Sequence, residues 1–198
     1  MRQVIVQDWM TLDGVVQAPG LADEDTTGGF EHGGWSLPYF DERGMGWVAR
    51  NVTEAGGFLL GRRTYEILGS YWPNASEDER VLAEPLNQRP KYVASTTLSE
   101  PLEWQNSELL KGEAAAAVEA LKRGTGAHLL VIGSTNLMQT LLEHDLVDEF
   151  RLMIDPLIVG GGKRIFPDSG TRRPLHLTDS ETTSTGAILA TYRVEAGS

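Results

Sequence analysis

The sequence predicts an α/β fold on a mixed sheet, with a parallel centre, helices on both faces and an antiparallel hairpin at the C-terminus. Three observations carry this. Short aliphatic runs alternate with helical patterns along most of the chain, as parallel strands with right-handed helical crossovers require. Two of those runs end in a glycine that leads directly into a helix, at Gly61 and Gly133. At the C-terminal end two β-rich runs are separated by Ser184-Thr185-Gly186, a hairpin turn signal. A length of 198 residues with 40% hydrophobic content suits one domain spanning residues 1–198.

Taken in order, the first strand is Val4 to Trp9, an apolar run that Gln7 and Asp8 interrupt near its end. Residues Gln17 to Gly34 follow, rich in glycine and acids and almost without apolar pattern. A stretch of that length at the carboxyl end of a strand reads as a mobile lid or binding loop. Helical spacing spans Tyr39 to Ala55, and Phe58 to Leu60 is a buried strand that turns into a helix over Arg63 to Tyr71. The next helix covers Glu77 to Leu86, opened by a Ser76/Glu79 capping box. Tyr92 to Ser95 is a strand and Glu113 to Arg123 a helix. Leu129 to Ile132 is too aliphatic to be exposed, and passes into a helix over Ser134 to His144 with Leu137, Met138, Leu141 and Leu142 on one face. Phe150 to Ile154, Leu175 to Thr183 and Ala187 to Glu195 complete the sheet.

Composition excludes several functions. There is no cysteine, which removes disulfides, thiolate catalysis and cysteine-ligated metals. A formal charge of -11 opposes nucleic acid and anionic membranes. No apolar run approaches the ~20 residues of a membrane span, and the apolar start of the chain is too short for a secretory signal. A cytoplasmic protein is the expectation. His32, His128, His144 and His176 show no ligand spacing, so no metal is expected. No Gly-x-Ser-x-Gly elbow is present.

The two strand–glycine–helix turns point to an anion. The start of a helix aims unpaired N–H groups, and the positive end of its dipole, at whatever lies above the strand end. At the first, Gly61-Arg62-Arg63-Thr64 adds two guanidiniums and a hydroxyl; at the second, Gly133-Ser134-Thr135-Asn136 adds hydroxyl and amide groups. Each alone is also readable as an ordinary turn with a capping residue. Two in one sheet favour a dinucleotide. Ser95 and Thr96 add hydroxyls at a third strand end.

In order along the chain, Thr11-Leu-Asp-Gly14, Gly61-Arg-Arg-Thr64, Ala94-Ser-Thr96, Val131-Ile-Gly-Ser134 and Phe166-Pro-Asp168 resemble the dihydrofolate reductase superfamily. The similarity is to the branch holding the C-terminal reductase domain of bacterial riboflavin biosynthesis and its stand-alone relatives. It covers nearly the whole chain, Val4 to Val194. The resemblance implies an NADPH-dependent oxidoreductase acting on a small molecule, and a homodimer. It places Arg62 on the 2′-phosphate with Arg63 beside it, Thr64 on the pyrophosphate, and Ser95 and Thr96 near the adenosine phosphate. Gly133, Ser134, Thr135, Asn136 and Leu137 match the turn that cradles the pyrophosphate, with Ser134, Thr135 and Asn136 standing where folate reductases often have glycines and an arginine. Trp9 and Ile132 match positions toward the nicotinamide.

The acceptor, a C=N or C=O bond, also needs a proton. Asp8, interrupting an apolar strand, is one candidate donor, with Gln7 facing the pocket from the other side of the strand. Asp41 matches the approximate place of the acid in folate reductases; it is equally readable as a solvated residue at a helix start. Asp13 reads as a substrate contact or as an Asx turn with Gly14. Leu152 stands where folate reductases place a threonine partner to the acid, which argues against dihydrofolate as substrate. The expected activity is hydride transfer to a heterocycle. The alternatives are a 5-amino-6-(5-phosphoribosylamino)uracil-type reductase and a non-catalytic nucleotide-binding module. Gly160-Gly-Gly-Lys-Arg164 precedes no helix and reads as a flexible turn.

Overall fold

A computed structural model describes residues 1–166, 168 and 171–195. Pro167 of the Phe166-Pro-Asp168 motif and residues 196–198 of the expected domain lie outside the described residues. The elements are β1 (Val4–Thr11), α1 (Glu42–Glu54), β2 (Gly57–Gly61), α2 (Arg62–Tyr71), α3 (Arg80–Gln88), β3 (Lys91–Ala94), β4 (Ser107–Leu109), α4 (Ala114–Lys122), β5 (Leu129–Ile132), α5 (Thr135–Glu143), β6 (Glu149–Asp155), β7 (Leu175–Thr182) and β8 (Ile188–Val194). The sheet has eight strands in the order β4-β3-β2-β5-β1-β6-β8-β7. β3 and β5 both pair parallel with β2, and β4 with β3, whereas β8 runs antiparallel to both β6 and β7. The mixed sheet with a parallel centre and an antiparallel C-terminal edge is therefore observed.

The chain divides into two compact units. The first comprises Met1–Val6 and Val48–Asp148. Its core is the run of residues that have no exposed surface, including Phe58, Leu59, Leu60, Val93, Leu129, Leu130, Val131, Met138 and Leu141. The continuous aliphatic character of β2 and β5 follows from burial of every residue from Gly57 side chain-free start to Leu60, and from Leu129 to Ile132. Lys91 is fully buried here, its ammonium donating to the carbonyls of Leu86 (2.8 Å), Asn87 (3.2 Å) and Arg89 (3.1 Å) and lying 4.5 Å from the centre of the Trp104 ring. It satisfies the carbonyls that end α3. The helix expected over 77–86 begins as a 3₁₀ turn, Glu77–Glu79, before α3; the capping box forms, with the Glu79 carboxylate accepting the Ser76 N–H at 3.0 Å. β4, a three-residue strand, has no counterpart in the sequence reading.

The second unit comprises Gln7–Trp47 and Glu149–Ser198. The stretch from Gln17 to Gly34 holds only one 3₁₀ turn, Thr27–Gly29, yet it is anchored throughout. Val15, Ala18, Phe30 and Trp35 form a buried cluster against which Trp9, Leu157 and Val159 pack. The buried Gln17 amide donates to the carbonyls of Asp25 and Thr27, both at 2.9 Å, and accepts the Lys163 N–H at 3.0 Å. Its own carbonyl accepts the Trp35 indole N–H at 2.7 Å. The segment lacks a periodic pattern because its anchors are single residues spread along a loop, which no 3.6 or 2.0 repeat can reveal.

Candidate functional site

In the first unit the two glycine turns are neighbours. β2 and β5 pair parallel, Leu59 opposite Val131, so both strands deliver their ends to the same edge. The Gly61 N–H donates to the Ser134 hydroxyl at 3.0 Å. A methyl group built at Gly61 would meet Ser134 at 3.7 Å, and one at Gly133 would lie 3.9 Å from the Thr64 hydroxyl. Gly61, Thr64, Gly133 and Ser134 therefore lie together at one edge of the sheet, termed the groove. Gly133 (φ 53°) and Ser134 (φ 55°) are both left-handed, a conformation natural to glycine and costly for serine.

Ser134 does not cap its own helix; its hydroxyl is turned to β2 instead. Nor does any side chain cap α2, which follows Gly61. Neither helix carries an acid in its first turn. Two sets of helix-starting N–H groups are thus left for another partner, an arrangement suited to a diphosphate. Arg62 and Arg63 are exposed at the start of α2, and the Arg62 guanidinium is held by Glu66 on the same helix. Thr135 is half-buried and Asn136 exposed; Ile132 and Leu137 are buried, so they offer the groove backbone and packing rather than side-chain contacts. At the end of β3, paired with β2 through Ala94 opposite Gly61, the Ser95 hydroxyl accepts the N–H groups of Thr97 (3.1 Å) and Leu98 (3.0 Å). It closes its own turn, while Thr96 stays exposed. This donor set, with two uncapped helix starts, hydroxyls and arginines, fits a phosphorylated dinucleotide.

In the second unit the acids separate into distinct roles. Asp8 is buried, its Oδ1 accepting the Trp9 N–H at 2.9 Å and its Oδ2 without a partner. Burial pushes its carboxyl up to about 8, against the opposing Trp9 N–H and helped by the Glu24 charge. That bond occupies the Trp9 backbone donor. Gln7, also fully buried, has neither amide atom paired. Asp41 is the cap of α1: Oδ1 accepts the Gly44 N–H (2.9 Å), and Oδ2 accepts the Ser184 hydroxyl (2.6 Å) and N–H (2.8 Å). Those bonds, the Ser184 hydroxyl first, hold its carboxyl down to about 2. Of the two readings its sequence allows, the bonds favour the residue at the helix start over the proton donor; an aspartate one residue before a helix reads identically for both.

Asp13 is likewise engaged, its carboxylate accepting the Thr11 hydroxyl (2.6 Å) and the N–H groups of Val159 (3.2 Å) and Gly160 (2.9 Å). It pins the start of the 160–164 turn rather than presenting oxygens to a substrate. Leu152 lies in β6 opposite Ala190 and is 2% exposed, a packing residue rather than a substrate contact. Sequence reasoning missed Asp155 at the end of β6. It is fully buried, neither oxygen has a hydrogen bond of good geometry, and burial pushes its carboxyl up to about 6 while the nearby Ser36 hydroxyl opposes. The signal that identified Asp8, an acid ending an apolar strand, is equally present in Leu152-Met-Ile-Asp155.

The chain matches the RibD C-terminal domain family over residues 2–189. It is 32% identical over 139 residues to the uncharacterized protein YyaP of Bacillus subtilis (strain 168), covering 68% of this chain and 71% of that one. Among solved structures it is similar to a protein from Shewanella sp. PV-4 described under riboflavin biosynthesis, with a TM-score of 0.68, 21% identity, and coverage of 98% and 99% of the two chains. It is also similar to a pyrimidine reductase-like protein of Corynebacterium diphtheriae, with a TM-score of 0.66, 12% identity, and coverage of 99% and 93%. Both structural likenesses concern the fold.

Proposed function

Because the chain belongs to the RibD C-terminal domain family, we propose that it is an NADPH-dependent oxidoreductase that reduces a C=N or C=O bond of a small heterocyclic substrate. One observation carries the reading: two uncapped helix starts on adjacent parallel strands, joined by the Gly61–Ser134 bond, with Arg62 at the rim. Gly61, Thr64, Gly133 to Asn136 and the first-turn N–H groups would hold the diphosphate, and Arg62, with Arg63 beside it, the 2′-phosphate.

When bound, NADPH supplies the hydride. The chain supplies position, exclusion of water and one proton. Asp8 is the group suited to the proton, since a carboxyl raised to about 8 is protonated at neutral pH and its Oδ2 is uncommitted. Gln7, with an unpaired donor and acceptor, suits the edge of an amide-containing ring. The relatives' descriptions favour a ribosylamino-pyrimidine of the riboflavin type as the first substrate to try.

Titration of the protein with NADPH and NADH tests the cofactor. Saturable NADPH binding is expected, and Arg62→Ala should weaken it at least about tenfold while changing NADH little, as loss of a charged hydrogen bond to phosphate implies. Equal loss for both coenzymes would remove Arg62 from the 2′-phosphate. NADPH binding without substrate-dependent oxidation across carbonyls, imines and pyrimidines would leave a nucleotide-binding module instead.

We also propose a homodimer. Among the described residues β7 has β8 as its only strand neighbour, and seven of its eight residues are exposed.

A further inference from the structure

Arg62 and Glu66 stand one turn apart on α2. Arg62 Nη1 donates to both Glu66 oxygens, at 3.1 Å and 2.9 Å, with the two side chains 49% and 44% exposed. Both contacts fall on the same nitrogen. The Nε–Nη2 edge of that guanidinium makes no hydrogen bond among the described residues. A pair of parallel N–H groups of that kind is what a guanidinium uses to grip a phosphate bidentately. Glu66 therefore takes the part of the fork that such a grip does not need.

We propose that Glu66 is a positioning residue, fixing the Arg62 side chain with its unused edge ready for the coenzyme's 2′-phosphate and so setting the preference for the phosphorylated coenzyme. This rests on the NADPH reading of the groove. Its physical basis is preorganisation: a free arginine surrenders much rotamer freedom on binding, and one already held surrenders less. A carboxylate one turn away also repels phosphate. Between exposed groups the high dielectric of water keeps that repulsion to about 1 kcal/mol, a size that the ordering can exceed. The two effects have opposite signs, so one substitution separates them.

Dissociation constants for NADPH and NADH are measured for the wild type, Glu66→Gln, Glu66→Asp, Arg62→Ala and the Arg62→Ala/Glu66→Gln double variant. Glu66→Gln should weaken NADPH about fivefold while moving NADH less than about twofold, a size set by loss of one ordered, partly exposed ion pair. Glu66→Asp, with a shorter reach, should fall between. In the Arg62→Ala background Glu66→Gln should add nothing. Tighter NADPH binding in Glu66→Gln, an equal change for both coenzymes, or an effect that persists without Arg62 each overturns the proposal. If Arg62→Ala itself leaves the NADPH/NADH ratio unchanged, the coenzyme reading falls and this inference with it; if only the Glu66 variants leave it unchanged, the coenzyme reading stands and the positioning role alone is lost.

Discussion

Ser134 carries a backbone cost and a cross-link in the same residue. Its left-handed φ of 55° is unfavourable by roughly 1 kcal/mol for a residue with a Cβ. Its hydroxyl accepts the Gly61 N–H, tying together the ends of two strands. Ser134→Gly relieves the first and loses the second, so its stability should stay within about 1 kcal/mol of the wild type. Ser134→Ala keeps the strain and also removes the acceptor from the Gly61 N–H; urea unfolding should find it about 1–2 kcal/mol less stable than wild type. Alanine below glycine inverts the usual order of the two residues. The ordinary order, with alanine the more stable, would show that the left-handed strain does not matter, and a Ser134→Ala variant as stable as the wild type would show that the bond does not. The glycines of this groove were legible because turn chemistry is local: a strand, a glycine and a helix start are adjacent in sequence. The Gly61–Ser134 bond was not, because it joins residues 73 apart and depends on β2 and β5 being neighbours. Asp41 shows the complementary limit. A capping aspartate and an active-site aspartate before a helix have the same local sequence, and only Ser184, 143 positions away, separates them.

At the scale of the element, legibility followed length and pattern. β2, β5 and β6 were evident as aliphatic runs, while β4, three residues of Ser-Glu-Leu, is too short and polar to show a period. β7 poses the sharper question. It is eight residues long and carries Leu175 (37% exposed) and Leu177 (47% exposed) with neither lysine nor proline, although the ladder is irregular between Leu177 and Asp179. Natural sheets blunt such edges or cover them. Light scattering after size exclusion should give a dimer for the wild type. Leu177→Lys should shift it towards monomer with little change in thermal stability, since an exposed edge residue contributes little to the fold of one copy. A monomeric wild type, or a Leu177→Lys dimer of unchanged affinity, would move the interface elsewhere.

For the whole molecule, the acids set opposing dependences of stability on pH. Asp25 and Asp41 are held down to about 2, Asp25 by Lys163 and Thr27 against burial, and Asp41 by Ser184 and Gly44. Groups of this sign bind fewer protons folded than unfolded. Their stabilisation is present above the unfolded value near 3.8 and is lost as pH falls towards 2. Asp8 and Asp155 are raised to about 8 and about 6 by burial. They bind more protons folded than unfolded, so their contribution is complete below 3.8 and is lost as pH rises to 6 for Asp155 and to 8 for Asp8. A fully buried group such as Asp8 can tilt stability by at most about 1.4 kcal/mol per pH unit. Asparagine at position 8 mimics the neutral carboxyl, keeps an oxygen for the Trp9 N–H and cannot ionise. Asp8→Asn should therefore flatten the decline in melting temperature above about pH 4, matching the wild type only near pH 4 and exceeding it by a margin that grows up to about pH 8. The same variant should lose turnover while retaining NADPH binding, because the proton donor is removed and the phosphate groove is untouched. A wild-type melting temperature that rises from pH 5 to 8 as steeply as that of Asp8→Asn would mean that Asp8 is already ionised in the folded chain. It would then have no proton to give, and the acid would have to be sought at Asp155.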